Sequence, residues 1–231
     1  MSPHSDTDRL AAASLAAGDP TGWFEKLYEQ AQAGAAEVPW DRPEPTPLLV
    51  RWARETRLAG AGRRALVVGC GPGRDAEFVA GLGFSTTGFD ISATAVRMAR
   101  DRHPGSPVDY RVADLLAAPP GWAGAFDLVV ECNTVQALPR SVRDRATAAV
   151  AGFVAPGGTL LVVAAKATAW GAGGPPWPLT RAEVSSFAAG GVREVSVTEF
   201  AAPDDPLVER WRAIFRRSRT PEAGGAGSRG G

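Results

Sequence analysis

The stretch that decides the fold is residues 65–75, ALVVGCGPGRD, in which an apolar run leads directly into a glycine-rich turn. The apolar run predicts a buried strand, and the glycines let backbone N–H groups approach a ligand that a Cβ atom would obstruct. A second strand-like run ends in Asp90, about 20 residues further on, where a carboxylate can reach ribose hydroxyls. The two features together predict a nucleotide site.

The spacing of the glycines narrows the choice of ligand. Gly69, Gly71 and Gly73 form G-x-G-x-G, whereas the dinucleotide pattern G-x-G-x-x-G would need glycine in place of Arg74. The observed spacing fits the turn of enzymes that bind S-adenosylmethionine (SAM), so we expect SAM as cofactor, S-adenosylhomocysteine as its product, and no metal. The alternatives of other classes are an oxidoreductase that binds NAD and a SAM-binding regulator without turnover.

Composition limits the partners. The chain has 231 residues, 45% of them hydrophobic, and its 25 basic residues balance 25 acidic ones. Without a strong net charge, we expect no nucleic-acid partner and no membrane partner, and a small molecule as substrate. No secretion signal or membrane-spanning run is recognised, which predicts a cytoplasmic location. A monomer is sufficient for such a function, and a dimer is the alternative.

Strand-like runs alternate with helical segments along the chain, which predicts one doubly wound, Rossmann-like α/β fold. We expect a seven-stranded, mostly parallel sheet with helices on both faces and an N-terminal helical lid. The predicted strands are residues 65–68, 85–89, 109–112, 126–131, 159–165, 192–200 and 209–216. The predicted regions are a flexible N-terminus (1–20), a lid with a Pro-Trp-Asp segment (21–62), a SAM-binding core (63–217) and a disordered tail (218–231).

Two acidic residues follow predicted strands and are candidates for cofactor binding. Asp90 would accept hydrogen bonds from both ribose hydroxyls, and Asp114 would accept one from the adenine amino group. Ile91 and Leu115 directly follow them and complete this part of the predicted site. The alternatives are that Asp90 caps the next helix and that Asp114 occupies a solvent-facing turn.

Several segments, besides the glycine turn, are similar to those of a known family. They are GFDIS at 88–92 and PGG at 156–158, and further out FEKLY at 24–28, VPWD at 38–41 and GGPPW at 173–177. The first two resemble class I SAM-dependent methyltransferases. The outer three resemble the thiopurine S-methyltransferase-like branch, which includes halide and thiol methyltransferases. The resemblance runs from about residue 23 to 216.

Aromatic residues precede the first strand. Phe24 and Tyr28 lie one helical turn apart and share a face. Because SAM carries a sulfonium, which aromatic faces attract, we predict that Phe24, Tyr28 and Trp40 cover the cofactor, and that Trp23 contacts the substrate. The alternative is that these residues are only the apolar stripe of a docked helix.

Residues 131–138, ECNTVQAL, follow the fourth predicted strand. Ligands of such sheets bind at the carboxyl ends of the strands, so this segment should reach the acceptor. We predict Asn133 and Thr134 as substrate contacts and Asn133 and Glu131 as catalytic, with Glu131 also near the cofactor. Structural hydrogen bonding is the alternative for Glu131. Trp170 and Trp177 are predicted to line the acceptor pocket, with loop packing as the alternative.

These residues predict a SAM-dependent methyltransferase that acts on a small soft nucleophile or heteroaromatic acceptor. Alignment and exclusion of water would do most of the work, and neither histidine, His4 or His103, is placed to act as a base. Thiol S-methylation is favoured, and O- or N-methylation of a specialised metabolite is the alternative. The halide and thiol branch commonly has an aromatic residue at the position that aligns with Asn133. Asparagine at this position argues against a halide acceptor in particular.

Overall fold

The computed structural model describes residues 3–167, 174–202 and 205–219. Within them, seven strands form one sheet and seven α-helices pack around it. The strands are β1 (Arg64–Val68), β2 (Ser85–Asp90), β3 (Asp109–Val112), β4 (Phe126–Cys132), β5 (Val154–Ala165), β6 (Val192–Ala202) and β7 (Asp205–Arg217). The helices are α1 (Pro3–Ala16), α2 (Gly22–Gln32), α3 (Pro47–Glu55), α4 (Arg74–Gly81), α5 (Ala93–Arg102), α6 (Arg140–Gly152) and α7 (Arg181–Ser185).

The sheet has the strand order β3-β2-β1-β4-β5-β7-β6. Strands β1 to β5 are parallel, and β7 runs antiparallel to both of its neighbours. The predicted seven-stranded, mostly parallel sheet is therefore confirmed. The strand order reverses between β1 and β4, where such folds have their ligand crevice. Because β7 is antiparallel, its first residues lie at the carboxyl ends of the parallel strands.

Two apolar layers fill the space between the sheet and its helices. One contains residues of α6 and α7, and the other contains residues of α3, α4 and α5. Alternation along β4 shows the division, since Val129 belongs to the first layer and Val130 to the second, and both are fully buried. Side chains of successive strand residues point to opposite faces, so the layer of a strand residue identifies its face.

Residues 3–16, which the sequence analysis assigns to a flexible N-terminus, form α1. Leu10 and Ala11 are buried in a cluster with residues of α2. The Ser14 hydroxyl, also buried, donates to the Asp19 carbonyl at 2.8 Å. The short run of small residues gives little sign of a helix by itself, because its burial depends on α2.

Most of the tail predicted to be disordered, from residue 220 onward, lies outside the described residues. Among the helices of the described ranges, none combines the length and the apolar character needed to cross a membrane.

Candidate active site

Each glycine of the turn after β1 has a positive φ and touches a different part of the molecule. The φ values of Gly69, Gly71 and Gly73 are 59°, 51° and 99°. A Cβ at Gly69 would lie 2.4 Å from the Thr134 hydroxyl, and one at Gly73 would lie 2.3 Å from the Tyr110 hydroxyl. Both the backbone and the packing therefore require glycine at these positions.

Asp90 binds the glycine turn directly. Its Oδ2 accepts a hydrogen bond from the Gly71 N–H at 2.9 Å, and its Oδ1 accepts one from the Ser92 N–H at 3.0 Å. Burial raises the pKa of Asp90 to about 6, although the backbone donors oppose the rise. The Ser92 hydroxyl, rather than Asp90, caps α5 by accepting from the Ala95 N–H. The carboxylate thus lies at the turn where the prediction put the ribose.

Asp114 caps a short 3₁₀ turn, Leu115–Ala117, and its Oδ1 accepts a hydrogen bond from the Leu116 N–H at 2.8 Å. This contact is the turn role given above as its alternative. Asp114 lies at the same edge of the sheet as Asp90, because the Ala113 N–H donates to the Asp90 carbonyl at 3.0 Å. Leu115 is buried and Ile91 is half-buried. Contact of Asp114 with adenine stays a prediction.

The three residues predicted to cover the cofactor, Phe24, Tyr28 and Trp40, lie together, and Tyr28 contacts the glycine turn. Tyr28 is fully buried, and its hydroxyl accepts a hydrogen bond from Trp40 Nε1 at 2.8 Å. The same hydroxyl lies 3.0 Å from the Cβ position of Gly71. Burial, together with the nearby Asp90 carboxylate, raises the pKa of Tyr28. The Phe24 ring lies 6.4 Å from that of Trp40, so the three rings form one cluster, which reaches the turn through the Tyr28 hydroxyl.

Trp23 lies inside the lid. It is fully buried and stacks on Phe24 with a centroid distance of 3.9 Å. This position agrees with the apolar-stripe alternative and does not support its predicted contact with substrate.

A carboxylate that the sequence prediction missed holds the lid in place. Glu25 accepts hydrogen bonds from the Ser92 hydroxyl at 2.5 Å, the Thr94 hydroxyl at 2.7 Å and the Thr94 N–H at 3.1 Å. Burial opposes ionisation of Glu25, but these donors outweigh it and lower its pKa. The lid helix is therefore bound to the first turn of α5, two residues after Asp90.

Two more acidic residues fix the irregular segment between α2 and α3. Asp41 forms a bidentate ion pair with Arg102, with both N–O distances 2.6 Å. Asp75, just after the glycine turn, accepts from the Thr46 N–H at 2.7 Å and the Thr46 hydroxyl at 2.8 Å. In the Pro-Trp-Asp motif, the tryptophan thus bonds Tyr28 and the aspartate bonds α5.

Near the carboxyl end of β4, Glu131 binds the backbone of the segment that follows. It is fully buried, and its Oε1 accepts from the Thr134 N–H at 2.8 Å and the Val135 N–H at 2.9 Å. Burial raises the pKa of Glu131 to about 7. These contacts match the structural alternative and do not support a role for Glu131 as a base on an acceptor. The Thr134 hydroxyl donates to the Val68 carbonyl at 3.0 Å, which joins the segment to β1.

Asn133 lies at the carboxyl edge with a φ of 62°. Its Oδ1 accepts a hydrogen bond from Arg210 Nη1 at 3.3 Å. Arg210 belongs to β7 and was missed by the sequence prediction. The only sequence signal for it is the predicted seventh strand, which does not indicate a neighbour 77 residues away.

Hydrogen bonds join the loop after β5 to the segment that follows β4. The Trp177 N–H donates to the Gln136 carbonyl at 2.8 Å, and the Trp177 carbonyl accepts from the buried Arg143 guanidinium at 2.8 Å. Trp177 is half-buried, and its role in lining the acceptor pocket stays a prediction. Trp170 lies outside the described residues.

The structure brings together three groups that the sequence analysis assigned to the cofactor: the glycine turn, a carboxylate bonded to it, and a pair of aromatic residues bonded to each other. Gly71 and Asp90 supply the first two, and Tyr28 and Trp40 supply the third. In the part of the chain that the structure describes, no three His, Cys, Asp or Glu side chains are grouped to hold a metal ion.

The chain is similar to known proteins of one family. Residues 65–158 match a family described as a methyltransferase domain. The chain is 38% identical over 145 residues to a ubiquinone biosynthesis O-methyltransferase of Thiobacillus denitrificans, covering 61% of this chain and 53% of that protein. It is 30% identical over 173 residues to the probable thiol methyltransferase 2 of Arabidopsis thaliana, covering 73% of this chain and 72% of that protein.

A solved structure shares the fold. The 1,6-didemethyltoxoflavin-N1-methyltransferase of Burkholderia thailandensis, with S-adenosylhomocysteine bound, superposes with a TM-score of 0.65 at 14% identity, covering 91% of this chain and 90% of that one. The chain spans about half the length of the ubiquinone relative it matches. The similarity to the thiol methyltransferase covers most of both proteins, and the chain therefore belongs to the class I SAM-dependent methyltransferases.

Proposed function

We propose that the protein transfers the methyl group of SAM to a small-molecule acceptor, and that a thiol is the favoured acceptor. One observation carries the proposal: the hydroxyl of the buried Tyr28 meets the glycine turn at Gly71, the residue whose N–H also binds Asp90. A lid and an anionic group thus converge on the same backbone position.

The proposed binding of SAM depends on Asp90 and on the cluster of three aromatic residues. Asp90 would accept from ribose hydroxyls, and the faces of Phe24, Tyr28 and Trp40 would contact the sulfonium end and exclude water. When bound, SAM supplies a methyl group activated for displacement. The chain's residues align the two reactants, and alignment together with removal of water accounts for much of such a rate enhancement.

The preference for a thiol follows from the acceptor half. Residues 132–138 contain no histidine and no lysine, and Glu131 binds the backbone of its own segment instead of facing outward. A thiol with a pKa of about 8.5 is partly ionised at neutral pH without a base. An aliphatic alcohol is not, so it needs a base that this segment does not supply.

O-methylation of an acidic hydroxyl is the second candidate. It is favoured by the 38% identity to the ubiquinone biosynthesis O-methyltransferase, and an acidic phenol shares with a thiol the ability to ionise without a strong base. The thiol methyltransferase relative supports the first candidate.

Two measurements test the proposal. Thermal unfolding with SAM, S-adenosylhomocysteine or NAD should show stabilisation by the first two and none by NAD. Methyl-labelled SAM, incubated with a panel of thiols, iodide, phenols and ring N–H heterocycles, should label the thiols most. Stabilisation by NAD alone would contradict SAM binding, and SAM binding without labelling of any acceptor would indicate a regulator.

A further inference from the structure

Gln136 has hydrogen-bond donors that the protein itself does not use. It lies in the 3₁₀ turn Val135–Ala137 after β4 and is only 5% exposed. Its Oε1 accepts a hydrogen bond from the Ala165 N–H at 2.6 Å, which places both N–H donors of the amide on the other branch, at Nε2. Among the residues that the structure describes, none accepts a hydrogen bond from Nε2. Buried polar groups are normally paired, so these donors are available to a ligand.

The amide lies at the carboxyl edge of the sheet, between the ends of β4 and β5. The Asn133 N–H still donates to the Val163 carbonyl of β5 at 2.8 Å. Two residues further along β5, the Ala165 N–H is bonded by the Gln136 side chain instead of by the backbone of β4. Ligands of this fold bind outside these strand ends, so the unused donors lie where the acceptor is expected.

Three contacts hold Gln136 in one position. Its carbonyl accepts from the Trp177 N–H at 2.8 Å and from Arg143 Nη2 at 3.4 Å. Arg143 is itself buried and pairs with Glu183 at 2.6 Å. The bond from Ala165 to Oε1 then fixes the rotation of the amide. A donor that is held at both its backbone and its side chain loses little entropy when it binds a ligand.

We infer that Gln136 determines acceptor specificity by donating a hydrogen bond to an uncharged oxygen of the acceptor, such as a carbonyl. The inference rests on the proposed function, because it names the substrate class of the same site. A carboxamide supplies N–H donors without charge and therefore suits an oxygen without charge. An acceptor that lacks this oxygen would leave the donors buried and unpaired, and sites of this kind discriminate strongly between such analogues.

The test compares thiols that differ in one carbonyl oxygen. Protein saturated with S-adenosylhomocysteine is titrated at pH 9 with the ortho, meta and para acetyl derivatives of benzenethiol and with the matching ethyl derivatives. Calorimetry gives the dissociation constants, and the ratio of the ethyl value to the acetyl value is the carbonyl preference. For at least one isomer, this preference should be about fivefold higher in the wild-type protein than in Gln136→Glu, the range for a hydrogen bond between neutral groups. Comparison of the two proteins cancels differences in acidity and hydrophobicity between the two thiols.

Gln136→Glu keeps an oxygen for the Ala165 N–H and changes only the donor branch. Its carboxyl should be ionised at pH 9, because the pKa of the fully buried Glu131 in the same segment is about 7. Gln136→Met introduces no charge and is the second variant, in which the carbonyl preference should fall by a similar factor. Gln32→Glu is the matched control, because it makes the same chemical change at an exposed residue whose Oε1 accepts from Arg97 at 3.4 Å. We expect this control to keep the wild-type preference.

The inference is overturned if the wild-type protein binds none of these thiols, or if either Gln136 variant keeps the wild-type preference for every isomer. A purely structural role of Gln136 would weaken binding of S-adenosylhomocysteine and leave the carbonyl preference unchanged. Failure of the proposed function has a different signature. A carbonyl preference that depends on Gln136, without transfer of label from methyl-labelled SAM to any acceptor, contradicts methyl transfer alone, whereas labelling of thiols with a preference that is independent of Gln136 contradicts the role of Gln136 alone.

Discussion

The two sides of the crevice are assembled from contacts of different range. At the end of β1 and β2, Asp90 bonds Gly71, 19 residues earlier in the chain, within one strand–helix–strand unit. At the end of β4 and β5, Asn133 meets Arg210, 77 residues later, and Gln136 meets Ala165, 29 residues later. The cofactor side is thus encoded by a compact motif, whereas the acceptor side exists only after β7 has paired with β5.

The lid lies on the predicted cofactor side, but its contacts join residues far apart in the chain, as those of the acceptor side do. Glu25 is bonded to Ser92, 67 residues away, and no pattern in either segment indicates the pair. The lid therefore depends on contacts between elements that are far apart in the chain, as the acceptor side does.

We expect the largest loss of stability from a substitution at Gly69, where the glycine turn of the cofactor side contacts Thr134 of the acceptor side. Gly69→Ala places a Cβ 2.4 Å from the Thr134 hydroxyl at a φ of 59°. The left-handed backbone and the overlap together should lower the free energy of unfolding by about 3 kcal/mol, measured by urea denaturation. Removing the overlap with Thr134→Ala in the same chain should restore part of this loss.

Gly81→Ala is the control for that variant. Gly81 ends α4 and has nothing within 4 Å of its Cβ position, so alanine should be neutral or stabilising by about 0.5 kcal/mol. Equal unfolding midpoints for Gly69→Ala and wild type would show that the two sides are not in close contact.

Asp90→Asn tests the cofactor side alone. We expect SAM binding to weaken by about 2 kcal/mol, the range for hydrogen bonds to a charged group, with little change in acceptor preference. Because burial raises the pKa of Asp90 to about 6, wild-type affinity for SAM should also fall as pH drops below 6. Asp109→Asn, at an exposed ion pair, should change neither property, and wild-type SAM affinity in Asp90→Asn would remove Asp90 from the site.

Glu131→Gln tests the interior of the acceptor side. Burial raises the pKa of Glu131 from 4.5 to about 7, so its stabilising contribution is complete below pH 4.5 and is lost as pH rises through 7. At about 1.4 kcal/mol per pKa unit, linkage integrated between these two pH values predicts that the variant gains about 2.5 kcal/mol relative to wild type. Urea denaturation at several pH values measures the difference.

Glu183→Gln is a control for which the pH dependence of stability has the opposite sign. Burial of Glu183 is outweighed by donors from Thr180 and Arg143, and its pKa is lowered. Its contribution is therefore present above pH 4.5 and lost as pH falls, so Glu183→Gln should bring wild type and variant together at low pH. A pH-independent difference for Glu131→Gln would show that this carboxyl does not titrate between folded and unfolded states.

The smallest effect is expected at the lid. Glu25→Gln keeps one acceptor oxygen of the three-bond contact with Ser92 and Thr94, and we expect a loss of about 1 kcal/mol. Hydrogen exchange should show faster opening of α2 with little change in α6. Glu29→Gln, at an exposed position of the same helix, is the control, and equal exchange in both variants would exclude Glu25 as the lid contact.

Sequence reasoning predicted the fold and the cofactor turn because their signals are local. The apolar period before Gly69, the glycine spacing and the carboxylate of Asp90 all lie within one strand–helix–strand unit. The same reasoning did not identify α1 or the contacts of Glu25, because both depend on surfaces of other elements. It also placed Glu131 near the chemistry, whereas alternation along β4 and the backbone donors of Thr134 and Val135 turn that carboxyl inward.

By itself the sequence determined a parallel sheet with a glycine turn at its first strand, since apolar periodicity and backbone freedom act over a few residues. Only the tertiary structure decided that Arg210 reaches Asn133. That contact requires β7 to enter antiparallel between β5 and β6, and strand order is set by the burial of whole surfaces, which no single segment of the chain encodes.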